Sequence, residues 1–242
     1  MEKIESLTLF CVPHAGASAA ASYGRWQRHL PPAIKVVPLE LAGRGRRMPE
    51  PFYDSIEEAV ADLMRTVAPT ARSAPYALYG HSMGTVIVYE LVRALAAAGL
   101  PAPRALFLSG RHPPHHVYDR QPMHLLSNEA FLQEIRTLGG TPEEFFAIPA
   151  LVQAFLPVLR SDYRLVELYR RADPIHVSTA DILFFHSDRD NLVRKPVIYE
   201  WERYTGGAFA VRDFQGDHFF INEQQAALCR EIGAWLEPAL AA

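Results

Sequence analysis

The stretch that decides the fold is Tyr76-Ala77-Leu78-Tyr79-Gly80-His81-Ser82-Met83-Gly84. Its first four residues form a short apolar run typical of a buried strand, and a helical pattern begins near Met83. A G-x-S-x-G motif between a strand and a helix is typical of a tight turn that lifts the serine hydroxyl above the sheet, at a helix N-terminus. The sequence therefore predicts Ser82 to be a nucleophile at the end of a strand.

Similar apolar runs recur along the chain, separated mostly by helical patterns. A helix is predicted from the capping box Ser55-Ile56-Glu57-Glu58 to about Val67, and another from Met83 to a stop at Gly99. This alternation predicts an α/β fold, in which a mostly parallel central sheet is flanked by helices on both faces. The predicted strands are residues 7–12, 34–37, 76–79, 105–108, 182–185 and 209–211.

The alternation fails over residues 111–175, where helical patterns follow a segment rich in proline and histidine. We interpret 111–175 as a helical insertion within one domain that spans residues 1–242. The apolar residues of this segment either line an acyl tunnel or pack the insertion onto the core. They are Phe131, Leu132, Ile135, Leu138, Phe145, Phe146, Leu151, Phe155 and Leu156.

A serine nucleophile needs a base and an acid that orients the base, and after this kind of turn they follow in the order acid, then histidine. His218 lies between the last predicted strand and the last helix, and it is the predicted base. Asp188 and Asp190 both follow the fifth predicted strand. We favour Asp190, which lies farther out, where a loop can bend toward the histidine; Asp188 is the alternative and otherwise braces the loop. Asp217 adjoins His218 and is expected to point away from its ring.

Stabilising an oxyanion requires two preorganised N–H donors. The residue after the nucleophile, Met83, supplies one, and the loop after the first strand supplies the other. That loop is His14-Ala15-Gly16-Ala17-Ser18, and we assign the donor to Ala15. The alternative is that this loop is a plain turn of small residues.

Composition excludes several classes of protein. The 242 residues carry 24 Lys and Arg against 27 Asp and Glu, a net charge of −3, which gives no support to a nucleic-acid partner. No apolar run is long enough to span a membrane, and the first residues do not resemble a secretory signal. We therefore expect a cytoplasmic protein. We also expect a monomer.

We also expect no cofactor and no metal. Cys11 and Cys229 are isolated, and no nucleotide-binding glycine motif occurs. Four histidines lie in or just after the proline-rich segment without an accompanying carboxylate cluster, so a zinc site is not expected there. They are His112, His115, His116 and His124.

Five motifs, taken together and in order, resemble the type II thioesterases of the α/β-hydrolase superfamily, the stand-alone editing enzymes of nonribosomal peptide and polyketide synthases. The similarity extends over nearly the whole chain. The motifs are Leu9-Phe10-Cys11-Val12-Pro13-His14-Ala15-Gly16, Leu41-Ala42-Gly43-Arg44-Gly45-Arg46-Arg47, Gly80-His81-Ser82-Met83-Gly84, Leu156-Pro157-Val158-Leu159-Arg160-Ser161-Asp162 and Gly216-Asp217-His218-Phe219-Phe220.

The resemblance implies a serine thioester hydrolase that removes stalled or misprimed acyl groups from the phosphopantetheine arm of carrier proteins, with the helical insertion as a mobile lid. It carries the catalytic roles to Ser82, Asp190 and His218, and the oxyanion amides to Ala15 and Met83.

Two alternatives remain open. One is a general acyl hydrolase or acyltransferase that uses the same triad, including fatty-acyl chain release, and the other is a noncatalytic binding protein. Arg44, Arg46 and Arg47 either contact the phosphopantetheine phosphate or an acidic carrier-protein helix, or form a solvated basic loop.

Overall fold

The protein is built on a six-stranded sheet in which every neighbouring pair of strands is parallel. A computed structural model describes residues 6–116, 121–171 and 174–241. The strand order is β2-β1-β3-β4-β5-β6. The strands are β1 (Leu7–Val12), β2 (Ile34–Pro38), β3 (Tyr76–His81), β4 (Ala105–Ser109), β5 (Asp181–Ser187) and β6 (Phe209–Phe214).

Helices pack on both faces of this sheet. They are α1 (Ala19–Tyr23), α2 (Ile56–Ser73), α3 (Met83–Ala97), α4 (Asn128–Leu138), α5 (Glu143–Phe146), α6 (Pro149–Leu168), α7 (Lys195–Ile198) and α8 (Gln225–Ala241). In β1, Phe10 and Val12 join a core with α2 and α3, whereas Leu9 and Cys11 join a second core with α1 and α8. This alternation follows from the two-residue period of a strand, and it produces the predicted three layers.

All six predicted strands are confirmed, most of them one to three residues longer than predicted. The predicted α2 was too short: the helix continues past Val67 to Ser73 and includes Pro69. Its predicted start is confirmed, because the Ser55 hydroxyl accepts a hydrogen bond from the Glu58 N–H. No helix among the described residues is long and apolar enough to cross a membrane.

The predicted insertion lies between the adjacent strands β4 and β5 and contains α4, α5 and α6. Within it, residues 117–120 and 172–173 lie outside the described residues, as do residues 1–5, on which the expectation about a secretory signal depends. The insertion has a small core of its own, formed by Met123, Phe131, Ile135 and Leu159.

Candidate active site

Ser82 occupies the turn between β3 and α3 in a strained backbone conformation. Its φ of 53° and ψ of −113° make it the only non-glycine residue of the described ranges with a positive φ. The flanking glycines are required by close backbone contacts. A Cβ on Gly80 would lie 2.5 Å from the Gly84 carbonyl oxygen, and one on Gly84 would overlap the Val12 carbonyl. Such strain persists only where the surroundings enforce it, and this turn presents the serine as the sequence predicted.

The end of β4 holds this turn in place. The Ser82 N–H donates to the Ser109 carbonyl at 2.9 Å, and the Thr85 hydroxyl donates to the same carbonyl at 2.8 Å. The Ser109 hydroxyl in turn shares hydrogen bonds with Tyr79 Oη at 3.0 Å and with His81 Nδ1 at 2.8 Å. Ser109 is therefore a support of the nucleophile turn that sequence reasoning missed, because its partners come from a neighbouring strand.

His218 and Asp190 form a buried pair. His218 Nδ1 lies 2.9 Å from Asp190 Oδ2, and the two side chains are 6% and 3% exposed. The second carboxylate oxygen, Oδ1, accepts a hydrogen bond from the Leu192 N–H at 2.9 Å. The carboxylate is thus held in a fixed orientation, which leaves His218 Nε2 to face a proton donor such as a serine hydroxyl.

The two other aspartates near His218 have different partners. Asp188 Oδ1 accepts from the Gly216 N–H at 2.9 Å, so it braces the loop that carries the histidine, as expected for the alternative role. Asp217 is exposed, and its Oδ1 accepts from the Phe219 N–H at 2.7 Å. The expectation that Asp217 points away from the imidazole is therefore confirmed.

Ser82, His218, Ala15 and Met83 line one cavity of about 50 Å³. Met83 is the first residue of α3, where helical N–H groups have no partner within the helix. In the β1 loop the neighbouring Gly16 N–H is already bonded to a carboxylate, whereas within the described ranges the Ala15 N–H donates no hydrogen bond. These two amides are thus available beside Ser82.

Asp162 of α6 ties the insertion to this loop. Asp162 Oδ2 accepts from the Gly16 N–H at 2.7 Å, and the carboxylate forms a bidentate ion pair with Arg44, whose Nη2 lies 2.7 Å from Oδ1. The two charged side chains are 5% and 1% exposed. Sequence reasoning quoted Asp162 in a motif but gave it no role, because its partners lie 118 and 146 positions away.

Neither alternative for the three arginines fits Arg44, whereas Arg47 is partly exposed and held in ion pairs within the protein. Arg44 is buried in its ion pair, so it neither reaches a carrier protein nor belongs to a solvated loop. Arg47 contacts Asp62 at 2.5 Å and also pairs with Glu50. Arg46 is exposed, and for it both alternatives stay open. The correction has a physical cause: in a turn rich in glycine, neighbouring side chains point in different directions.

Two neutral imidazoles surround His218. Burial lowers the pKa of His14 to about 3, with smaller contributions from His218 and Arg44. Burial likewise holds the pKa of His81 well below its ordinary value, helped by His218 and His14. Because both rings are neutral at physiological pH, neither adds a positive charge that would oppose protonation of His218 during catalysis.

The insertion supplies the apolar wall of the site. Leu138, Tyr163 and Val166 line the cavity beside Ser82, and a second cavity of about 90 Å³ continues along Ile135, Leu138, Phe155, Leu159 and Tyr163. The prediction of an apolar lining therefore fits Ile135, Leu138 and Phe155.

Phe131 and Leu151 line neither of these cavities, so the packing alternative holds for Phe131 and neither alternative fits Leu151. Phe131 is fully buried in the insertion core, and Leu151 is 46% exposed. Leu159, Tyr163 and Val166 were missed, although their spacing from Phe155 places them on one face of α6.

Comparison with known proteins identifies the family of this chain. A thioesterase domain model matches residues 7–236. The chain belongs to the thioesterase family. Thioesterase PikA5 of Streptomyces venezuelae is 34% identical over 227 residues, which cover 94% of this chain and 80% of that protein.

Solved structures agree with this assignment. ClbQ from the colibactin NRPS/PKS pathway superimposes with a TM-score of 0.92 at 35% identity, over 97% of this chain and 98% of ClbQ. The type II thioesterase BorB from the borrelidin biosynthetic cluster gives a TM-score of 0.85 at 33% identity, over 96% and 93% of the two chains. The predicted resemblance to type II thioesterases and the predicted α/β-hydrolase fold are confirmed. The prediction that the protein is an enzyme that hydrolyses thioesters is confirmed as well.

Proposed function

We propose that this thioesterase hydrolyses stalled, misprimed or intermediate acyl groups from the phosphopantetheine arm of carrier proteins in nonribosomal peptide or polyketide biosynthesis. The observation that carries the proposal is the buried His218–Asp190 pair beside a strained serine turn, in a chain similar to enzymes of such pathways. The partner is an acyl or peptidyl carrier protein.

The chemistry follows from the positions of these groups. Asp190 accepts a hydrogen bond from the Nδ1–H of His218 and fixes the tautomer in which Nε2 takes the proton of Ser82. The serine oxygen attacks the thioester carbonyl, and the N–H groups of Ala15 and Met83 stabilise the oxyanion. His218 then protonates the departing sulfur. Water, deprotonated by His218, attacks the acyl-serine, and His218 passes that proton to the Ser82 oxygen as the bond to the acyl group breaks and the carboxylic acid leaves.

A thioester is not required by this machinery. A thiol with a pKa of about 8.5 is a better leaving group than an alcohol, so the same residues can also cleave an oxygen ester. Selectivity for carrier-bound groups has to come from docking of the carrier protein and from the apolar wall contributed by α4 and α6.

The test offers one acyl group in three forms: on a carrier protein, on coenzyme A and as a simple oxygen ester. We expect the highest kcat/KM for the carrier-bound form, with Ser82→Ala inactive toward all three. Strong preference for oxygen esters without turnover of the carrier-bound acyl group would favour the general acyl hydrolase instead. If Ser82→Ala retains the biological effect and the carrier protein still binds, the noncatalytic alternative is correct.

A further inference from the structure

Two adjacent histidines and one glutamate converge at the base of the insertion, outside the active site. His115 and His116 follow β4, and Glu200 lies in the 3₁₀ turn Tyr199–Tyr204. Their Nε2 atoms lie 2.8 Å and 3.2 Å from the same oxygen, Glu200 Oε2. Among the residues that the structure describes, this is the one set of three or more such side chains whose ligand atoms lie within 4.8 Å of one another.

We propose that His115, His116 and Glu200 form a binding site for a transition-metal dication of the Zn²⁺ type. Two imidazole nitrogens and a carboxylate oxygen, completed by water, are a ligand set that Zn²⁺ accepts in proteins. Metal–ligand bonds of about 2.0–2.1 Å place neighbouring tetrahedral ligands about 3.3 Å apart. The two nitrogen-to-oxygen distances are already close to that spacing, so only a small adjustment is needed for an ion to enter.

One ligand is oriented by its surroundings. His115 Nδ1 shares a hydrogen bond of 2.7 Å with Tyr204 Oη, and the Tyr204 side chain is buried. The rings of His115 and Tyr204 are also nearly parallel, with centroids 5.8 Å apart. A partner on the outer ring nitrogen is the usual way in which proteins fix the tautomer and direction of a metal-binding histidine.

The second ligand is less well satisfied. His116 Nε2 is buried and lies 3.2 Å from Glu200 Oε2, within reach of an ion pair but without a well-aligned hydrogen bond. A buried polar atom without a well-aligned hydrogen bond is costly. An ion bound between this nitrogen and the carboxylate would reduce that cost.

The surroundings allow an ion to enter. The side chains of His115, His116 and Glu200 are 20%, 27% and 38% exposed. One competing positive charge is Arg203, whose Nη1 is 3.9 Å from Glu200 Oε2, and its side chain is 59% exposed; Arg171 also lies near enough to act on Tyr204, the partner of His115.

This proposal departs from the expectation that no metal binds, and the reason is distance along the chain. The histidines were judged to lack a carboxylate, but folding brings Glu200 to them from 84 residues beyond His116. A bound ion would join the start of the insertion to the segment after the Asp190 loop. Its role is therefore to hold these two segments together, and it takes no part in the hydrolysis.

The experiment measures the melting temperature and metal binding of the full-length protein, with Zn²⁺ and with Co²⁺. At a metal concentration roughly 100-fold above Kd, we expect the melting temperature to rise by about 5 °C or more. One equivalent of Co²⁺ should give the visible absorption of a four-coordinate ion. Mg²⁺ should give no shift, because it prefers oxygen ligands.

Three variants locate the ion. Glu200→Gln replaces one carboxylate oxygen by an amide nitrogen and should abolish most of the shift, as should the double variant His115→Ala/His116→Ala. His29→Ala removes an exposed histidine elsewhere and should keep the full shift. Metal-free hydrolytic activity, unchanged in all three, shows that they are folded. The absence of a Zn²⁺ shift in the wild-type protein, or a full shift that survives in both Glu200→Gln and the double variant, would overturn the proposal.

Discussion

The sheet and the helical insertion contribute to the active site in different ways. Ser82, Asp190, His218 and Ala15 all follow the carboxyl ends of strands, and their geometry is enforced by backbone and carboxylate hydrogen bonds. The insertion contributes apolar side chains with a separate small core, and one buried carboxylate. The sheet edge therefore determines the chemistry, whereas the insertion determines the space that is available to the acyl group.

The largest effect is expected from removing the nucleophile. Ser82→Ala should lower turnover of every acyl substrate by on the order of 10⁶, as loss of the serine does in other triads. The measurement is single-turnover hydrolysis of an acyl-carrier protein. If Ser82→Ala retained a rate within tenfold of the wild type, Ser82 at the sheet edge would not be the nucleophile.

Variants of the two aspartates after β5 distinguish two roles, the orientation of the His218 ring and the support of the loop that carries it. Asp190→Asn should lower kcat by about 10⁴, because the amide imposes the wrong tautomer on His218. Asp188→Asn is the matched control. It should lower stability by about 1 kcal/mol through its weakened bond to Gly216, with little loss of kcat. Steady-state kinetics and urea unfolding of both variants check this, and the reverse ranking would exchange their roles.

The contact between the two regions is tested at Asp162. Asp162→Ala leaves Arg44 buried without a partner and should cost about 3–5 kcal/mol of stability. Asp162→Asn keeps the shape but weakens the hold on the Gly16 loop, so we expect kcat to fall by roughly 10²-fold, the effect of disturbing one oxyanion donor. KM should change less than kcat.

An exposed ion pair between α6 and the core provides the control for Asp162. Arg164 Nη1 lies 3.3 Å from Asp54 Oδ1, and these side chains are 41% and 83% exposed. Asp54→Asn should change stability by less than about 1 kcal/mol, with unchanged kcat. Equal effects at Asp54 and Asp162 would mean that burial of the link is unimportant.

Enlarging the cavity at its apolar wall should change the preference among acyl chain lengths more than it changes the maximum rate. Leu138 lines both the cavity beside Ser82, about 50 Å³, and the second cavity, about 90 Å³, so its side chain limits the length of acyl chain that the two cavities can hold. Leu138→Ala should raise kcat/KM for medium-length chains by about tenfold, a gain typical of a few methylene groups in an apolar pocket. Leu132→Ala, on the same helix but outside the described cavities, is the control. An unchanged ranking of chain lengths in Leu138→Ala would contradict this assignment.

The last prediction concerns stability in acid and depends on His14, in the loop after β1, and on His112, at the start of the insertion. Unfolded histidines protonate near pH 6.5, whereas folded His14 stays neutral down to about pH 3 and His112 to about pH 4. Below about pH 6.5 the unfolded chain therefore binds more protons, and the free energy of unfolding falls by up to about 1.4 kcal/mol per pH unit for each such histidine.

Urea unfolding between pH 7.5 and 5 measures this slope. His14→Gln should reduce it, while His29→Gln, at an exposed position, should leave it unchanged. A slope of zero in the wild type would show that His14 is charged in the folded protein.

Features that depend only on neighbouring residues could be predicted from the sequence alone. The strand, the glycines and the serine of the nucleophile turn are contiguous, so their geometry could be predicted from local backbone rules, and the apolar runs predicted all six strands. The order of Asp190 and His218 after Ser82 followed from the same architecture, and the choice of Asp190 over Asp188 followed from its distance beyond β5.

Tertiary structure decided which side chains meet across long separations. The burial of Arg44 against Asp162, the support of Ser82 by Ser109, and the approach of Glu200 to His115 and His116 involve residues far apart in the chain. The physical reason is that propensity and periodicity act over a few residues, whereas the pairing of charges and imidazoles depends on how packed elements orient their side chains.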